Sequence, residues 1–394
     1  MITNKHPDRE AIDAGLIANF IISFFLVLSS MGPAVISVVA KKQIALDYDV
    51  SVSVVSLLYA AFFVMVGLGS YACGKLFDET SYKRLFLWSG LSNVIIGVAC
   101  YYSVNAILFF LLLGIALPLF GSAAFLGPLA ALAGTWLPKH QAIAVAIPTL
   151  GQLVAFWLWS FLLDLLEPRL GWRGLLLVIA TAGVVQLTLT HLIVRRKPNG
   201  LIPRLSLPAT EKILPIELIV GACFLTFFGA TLSLTTLPSM PSVAAGGGTT
   251  VLGAFSCLAI IGRLLYSILF DKGFVSISVV TSLAAIFVAN IILSLNNNSY
   301  YLTIFGAGVL GFGYSGFLPV IMAFSRANCI GPAPENANRI ILFGTVGIAV
   351  GSLTGGLSSD MDGQAIASMV AMAACLISLA IMSVCCARIR KVVR

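Results

Sequence analysis

The chain has 394 residues, 59% of them hydrophobic and only 10% charged, with a mean hydropathy of +1.03. Soluble domains carry about 25% charged residues, so this composition excludes a soluble globular protein and indicates a polytopic membrane protein. The net charge of +8 lies in short basic runs beside apolar stretches, a placement that sets topology and excludes nucleic acid as the partner.

The first thirteen residues, MITNKHPDREAID, are polar and carry acids, unlike a signal peptide. Twelve apolar spans follow, predicted at 15–40, 51–74, 84–103, 105–135, 141–165, 172–194, 214–237, 250–270, 274–295, 300–324, 338–359 and 364–387. Each is at least about 20 residues long, enough to cross a hydrocarbon core. Only helices and closed barrels satisfy the backbone in lipid. Barrel strands would alternate over about ten residues, and these runs do not. The expected fold is all-α, with 12 transmembrane helices.

The longest polar stretch, RRKPNGLIPRLSLPATEK, occupies 195–212 and reads as a linker. It divides the chain into a six-helix half over 1–194, a cytoplasmic linker over 195–213 and a second six-helix half over 214–394. With both termini cytoplasmic, 18 of the 23 Lys and Arg residues fall inside, four fall outside (Lys41, Lys42, Arg169, Arg173), and Arg263 lies within a span. That bias predicts a multi-pass protein of the cell (inner) membrane with both termini in the cytoplasm. The eight cysteines form no CxxC and suggest neither a disulfide framework nor a metal site. Cys385 and Cys386 adjoin a basic tail; they read as ordinary helix-end cysteines, with palmitoylation as the alternative. Trp136 and Trp172, at span ends, read as interfacial anchors, and the deeper Trp157 and Trp159 as packing residues. No cofactor or catalytic group is expected.

The two halves repeat one another. GSYACGKLFDE (69–79) matches GRLLYSILFDK (262–272) at an offset of 193, pairing Gly69 with Gly262 and Asp78 with Asp271. IPTLGQLVAFWLWSFLLD (147–164) matches FGTVGIAVGSLTGGLSSD (343–360) at an offset of 196, pairing Thr149 with Thr345 and Gly151 with Gly347. Two matches at nearly one offset, joining spans 2 with 8 and 5 with 11, indicate a duplication. Repeated halves rocking about a central site are a common transporter design.

Gly74, Asp78, Lys83 and Arg84 resemble the loop between helices 2 and 3 of the major facilitator superfamily, whose pattern is Gly-x-x-x-Asp-Arg/Lys-x-Gly-x-Arg/Lys-Arg/Lys. Glu79 stands where a cation is usual, and Ser81 replaces the second glycine. The copy after span 8 keeps Asp271, Lys272 and Gly273, with Ser267 at its first small position. LGWRGLLLVIA at the start of span 6 and IIGRLLYSILFD in span 8 look like the monocarboxylate and oxalate–formate branch. The glycine-rich antiporter motif of drug exporters is not matched in span 5, and span 4 lacks the arginine often seen there. The resemblance implies alternating access, with the loop clusters as a gate. Asp78 would bond to the start of a neighbouring helix, where the dipole favours an anion, and Lys83 and Arg84 would anchor span 3. The alternative for those charges is a topogenic role alone.

No acid or histidine reaches the middle of a span, so the usual proton carrier of a symporter is missing. Arg263 is the one deep ionisable residue. It lies eight residues before Asp271, about 12 Å along a helix. A guanidinium there costs at least about 2.5–3.5 kcal/mol, so it should face water or a partner. It can hold a carboxylate through two parallel hydrogen bonds, and the resembled branch uses a span-8 arginine for its substrate carboxylate. The alternative is that Arg263 caps backbone carbonyls or pairs with a gate residue. Ser70 occupies the matching place in span 2, so a cation is not required by both halves. Gln152, Thr231 and Tyr314 lie near mid-depth as further substrate-binding candidates, with helix–helix hydrogen bonding as the alternative. Glycine-rich GAGVLGFGYSG (306–316) lies inside span 10 and reads as close packing, not a phosphate loop.

These features predict a secondary active or facilitative transporter of a small organic anion, a monocarboxylate above all. Coupling would come through a co-transported proton, an exchanged anion or facilitation alone. The alternatives are a major facilitator transporter of amino acids, siderophores or drugs, an intramembrane enzyme, or a non-transporting sensor. No His, Cys or acid cluster at helical spacing supports an enzyme, and no signalling domain supports a sensor.

Overall fold

The computed structural model describes residues 14–76, 82–137, 139–192, 214–237, 243, 248–295, 299–330, 333–360 and 364–393. The linker at 195–213 lies outside the described residues, as do Asp78, Glu79 and Ser81 of the first loop motif. Among the described residues, twelve helices are long and apolar enough to cross a bilayer. They are spans 1 (Ala14–Ser37), 2 (Val54–Cys73), 3 (Tyr82–Tyr102), 4 (Ala106–Trp136), 5 (Gln141–Trp159) and 6 (Pro168–Leu192), then 7 (Ile216–Thr236), 8 (Thr250–Asp271), 9 (Val275–Ser294), 10 (Tyr300–Asn328), 11 (Glu335–Ser358) and 12 (Ile366–Ile389). Every expected span is present, and no strand forms among the described residues.

Local chemistry explains several of the ends. The Asn105 side chain accepts a hydrogen bond from the Leu108 amide at the start of span 4, and Ser299 accepts one from Leu302 at the start of span 10, as N-cap residues do. Gly171 (φ +66°) kinks the chain near the start of span 6, and Gly273 (φ +91°) ends the span 8 motif. Both hold backbone conformations that side-chain-bearing residues rarely adopt.

Packing follows the repeat. Span 2 lies against span 4 and span 8 against span 10; span 7 lies against span 11 and span 9 against span 12. Spans 1 and 5 meet at Gly151, and spans 7 and 11 at its repeat partner Gly347. A Cβ on Gly151 would lie 2.3 Å from the Phe24 carbonyl oxygen, and one on Gly347 would lie 2.5 Å from that of Phe224. In lipid no hydrophobic force draws helices together, so such small residues allow the close contact that does. The glycines of span 10 serve the same end: Gly311 meets the Phe255 carbonyl and Gly313 that of Ser282, as expected of close packing.

Span 4 departs from a uniform α-helix. Leu112–Ser122 winds as a π-helix containing Pro118, and neighbouring side chains bond to carbonyls at its end. Asn93 of span 3 donates to Gly121 at 2.9 Å, and Ser70 of span 2 donates to Ala123 at 2.8 Å.

The tryptophans divide between expectation and exception. Trp159 packs as expected, donating to the Leu28 carbonyl at 3.0 Å. Trp157 does not pack inward: its side of the helix faces out, and its ring stacks on exposed Phe161. Trp172 is not an interfacial anchor: it is buried and donates to Asp47 at 2.7 Å. Arg173 beside it donates to the Ser103 carbonyl at 2.8 Å and lies over the Tyr48 ring. The Trp-Arg pair opening span 6 therefore ties the loop after span 1 to the end of span 3. Burial raises the Tyr48 hydroxyl pKa within this cluster. Cys385 and Cys386 are buried among the helices, consistent with packing.

Candidate functional site

The first six spans meet the last six along two seams, span 2 against span 11 and span 5 against span 8. The seams differ in chemistry. At the first, Gly67 faces Thr345 and the Leu342 backbone, where an added Cβ would press on the Thr345 hydroxyl. The second is joined by charged side chains on backbone groups.

Asp271, the last residue of span 8, accepts hydrogen bonds from the Ala142 amide (3.1 Å) and the Ile143 amide (2.9 Å). Each carboxylate oxygen takes one donor from the first turn of span 5, where unpaired amides and the helix dipole favour an anion. This is the contact expected of the loop aspartates, made by the second copy. Lys272 follows it, exposed. Gly74 lies in the last turns of the helix Val52–Leu76, and Lys83 and Arg84 lie in the first turn of span 3. Asp271→Ala is expected to cost about 1–2 kcal/mol, as for loss of a capping side chain, read as a lower thermal unfolding midpoint. Asp271→Asn keeps one acceptor and should cost less.

Two turns further into span 8 lies Arg263, the one buried basic side chain among the described residues, 2% exposed. Its Nε donates to the Ser315 carbonyl of span 10 at 3.0 Å, and its Nη1 donates to the Thr149 carbonyl of span 5. Ser315 is four residues before Pro319, which has no amide to offer it, so Arg263 supplies the missing donor. The Ser315 hydroxyl in turn donates to the Ala259 carbonyl of span 8. Carbonyl capping, one of the two roles open to Arg263 in the sequence, is thus what this conformation displays.

Beyond Arg263 a narrow, largely enclosed cavity lies between the two sets of helices. It is lined by Tyr59 and Phe63 of span 2, Gln152, Leu153 and Phe156 of span 5, Thr231 and Leu234 of span 7, Leu252, Phe255 and Ser256 of span 8, Tyr314 of span 10 and Ile348 of span 11. Gln152, Thr231 and Tyr314, far apart in sequence, therefore line one cavity, polar groups among aromatic rings. About 30 Å³ is open to water in this conformation, room for one or two water molecules, so a ligand fits only once the helices draw apart. Arg263 does not line it but lies nearby: Ser256 is two turns away on the same face of span 8, and Tyr314 adjoins Ser315, whose carbonyl Arg263 holds. Among the described residues no acid lines the cavity.

Tyr59, Phe63 and Ser256 are lining residues that sequence reasoning missed. Tyr59 carries the one usable signal, a phenol inside an apolar span. Arg326 reads in the sequence as a topogenic charge, yet it enters a second pocket between spans 4, 5, 10 and 11, beside Gly134. Among the described residues no cluster of His, Cys, Asp or Glu could hold a metal ion.

Two solved membrane transporters are similar to this structure. A variant of the E. coli fucose:proton symporter aligns over 93% of this chain and 98% of its own, with a TM-score of 0.67 and 15% identity. The human organic anion transporter TETRAN aligns over 95% of this chain and 100% of its own, with a TM-score of 0.68 and 13% identity. At such identities the likeness is one of fold. No curated protein sequence matches the chain. The family model of the Major Facilitator Superfamily matches residues 20–339, and with twelve spans closed about a central cavity the chain belongs to that family of membrane transporters.

Proposed function

We propose that the protein carries a small organic anion, a monocarboxylate in the first instance, across the cell (inner) membrane by alternating access. What supports this reading is the buried guanidinium of Arg263, bonded to the carbonyls of Ser315 and Thr149, next to Tyr314 and one turn from Gln152, which line the cavity together with Thr231. A guanidinium can grip a carboxylate through two parallel bonds, and the amide and hydroxyl groups above can hold an α-substituent. The units over 1–194 and 214–394 would rock about this site, joined by the linker at 195–213, with both termini cytoplasmic. The gate would consist of the two loop copies, Gly74, Asp78, Lys83 and Arg84 in the first and Asp271 and Lys272 in the second. Coupling to a proton would have to run through the substrate, since no acid among the described residues lines the cavity; exchange of one anion for another needs no such carrier.

A second reading keeps the transport and changes the cargo to an amino acid, which shares the carboxylate but adds an ammonium group. It is favoured by the neutral polar lining and disfavoured by the lack of an acid to receive that group.

Competition in proteoliposomes tests the proposal. Uptake of labelled lactate should be inhibited by other small monocarboxylates and left unchanged by lactamide, which has the same shape without the charge. Equal inhibition by lactamide, or no carboxylate uptake at all, would remove the anion reading.

A further inference from the structure

We propose that Arg263 is a clasp across the seam between spans 5 and 8, holding it shut below the cavity, and that an anion in the cavity opens it by taking over one arm. The inference rests on the anion reading above and adds to it a conformational role.

The repeat separates what is structural in Arg263 from what is additional. Ser70, its partner at the offset of 193, donates to the Ala123 carbonyl of span 4. Arg263 donates through Nε to the Ser315 carbonyl of span 10, 192 residues further on. Both halves therefore use this position to pin the corresponding helix of their own set, span 4 or span 10, and in the first half a serine suffices. The second arm has no counterpart at Ser70. Nη1 reaches out of its own six spans to the Thr149 carbonyl of span 5.

That bond lies on the path out of the cavity. Along span 5, Gln152 lines the cavity, Thr149 is one turn below, and the amides of Ala142 and Ile143 are two turns further, bound to Asp271. Span 8 runs beside it in the same order: Ser256, Arg263, Asp271. Two ties thus cross one seam in series, and opening toward the Asp271 end must break both. Freed from Thr149 without a replacement, the buried guanidinium would lose an acceptor, which is costly for a charged donor. Once the helices have drawn apart around an entering ligand, a carboxylate resting on Gln152 and Tyr314 offers that replacement within one turn. Thr149 loses little, because its carbonyl lies inside the span 5 helix and keeps its intrahelical partner. Ligand and carbonyl compete for one arm, so only the loaded protein would open easily at that end, as a differential affinity for two states requires.

The test is a distance across the seam, measured by pulsed electron resonance between labels on Lys139→Cys and Phe274→Cys, both exposed in the native protein. Cys73 and Cys257 are replaced by serine beforehand. Wild type without ligand should show one short population. Addition of acetate, lactate or oxalate should bring in a longer one, and lactamide should not. Arg263→Ser, which keeps the capping that Ser70 performs, should show the longer population without ligand and gain nothing from the anions. If that variant fails to fold, the wild-type comparison of anion with lactamide still decides. A short distance in folded Arg263→Ser, or no lengthening of wild type by any of the anions, overturns the proposal. If lactate uptake nevertheless depends on Arg263, the clasp alone has failed. If uptake is indifferent to Arg263→Ser, the anion reading has failed with it.

Discussion

Arg263→Ala is expected to lower carboxylate uptake by roughly 10²- to 10⁴-fold, since two charge-assisted hydrogen bonds are worth about 1.5–3 kcal/mol each. The measurement is the initial rate of lactate entry into proteoliposomes, divided by the amount of folded protein reconstituted. That division matters because alanine also leaves the Ser315 carbonyl without a donor beside Pro319. An unpaired buried acceptor costs about 1–3 kcal/mol, a loss of stability that must not be read as a loss of binding. Arg263→Lys sharpens the assignment. It keeps the charge but not the flat pair of donors, so an intermediate rate is expected if the substrate carboxylate is gripped at two points.

Gly262→Ala is expected to damage the fold severely, although it adds a single methyl group. The added carbon would lie 2.0 Å from the Phe312 carbonyl oxygen of span 10, with the Phe312 carbon and Cα within 2.9 Å. Backbone, unlike a side-chain tip, cannot swing aside, so the cost should reach or exceed about 3 kcal/mol, the upper end for overpacking. Gly253 on the same helix supplies the control, because a Cβ there meets nothing within 4 Å. Gly253→Ala should be neutral or stabilise by up to about 1 kcal/mol through helix propensity. Thermal unfolding midpoints in detergent distinguish the two, and a Gly262→Ala protein as stable as Gly253→Ala would show that spans 8 and 10 are not packed so tightly.

The spans are legible in the sequence because hydropathy is a property of each segment by itself. The expected 250–270 and observed Thr250–Asp271 differ by a single residue. The repeat is legible for a related reason: Gly69 with Gly262 and Gly151 with Gly347 are kept where backbones touch, and touching backbones tolerate one residue type. The role of Trp172 is not legible. Its position at a span end fits an interfacial anchor, and only the folded chain brings Asp47 within 2.7 Å of its ring nitrogen. The site is legible in parts. Gln152, Thr231 and Tyr314 can be chosen for polarity and depth, but their meeting in one cavity depends on helix rotation, which composition does not encode. Ser256 is lost among the other serines of the spans for the same reason, whereas Tyr59 stands out as a phenol inside an apolar span. The partners of Arg263 are the least accessible of all, because backbone carbonyls leave no mark in a sequence. Pro319 is the usable clue, since a proline in a helix leaves the carbonyl four residues earlier without its donor.

The central claim, a single anion site exposed alternately to the two sides, is tested most directly by counterflow. Vesicles containing the protein are loaded with unlabelled lactate and diluted into a trace of labelled lactate. A transient overshoot of label inside is predicted, dependent on Arg263 and absent when the vesicles are loaded with lactamide. No overshoot with lactate, acetate or oxalate, or an equal overshoot with lactamide, would contradict the account.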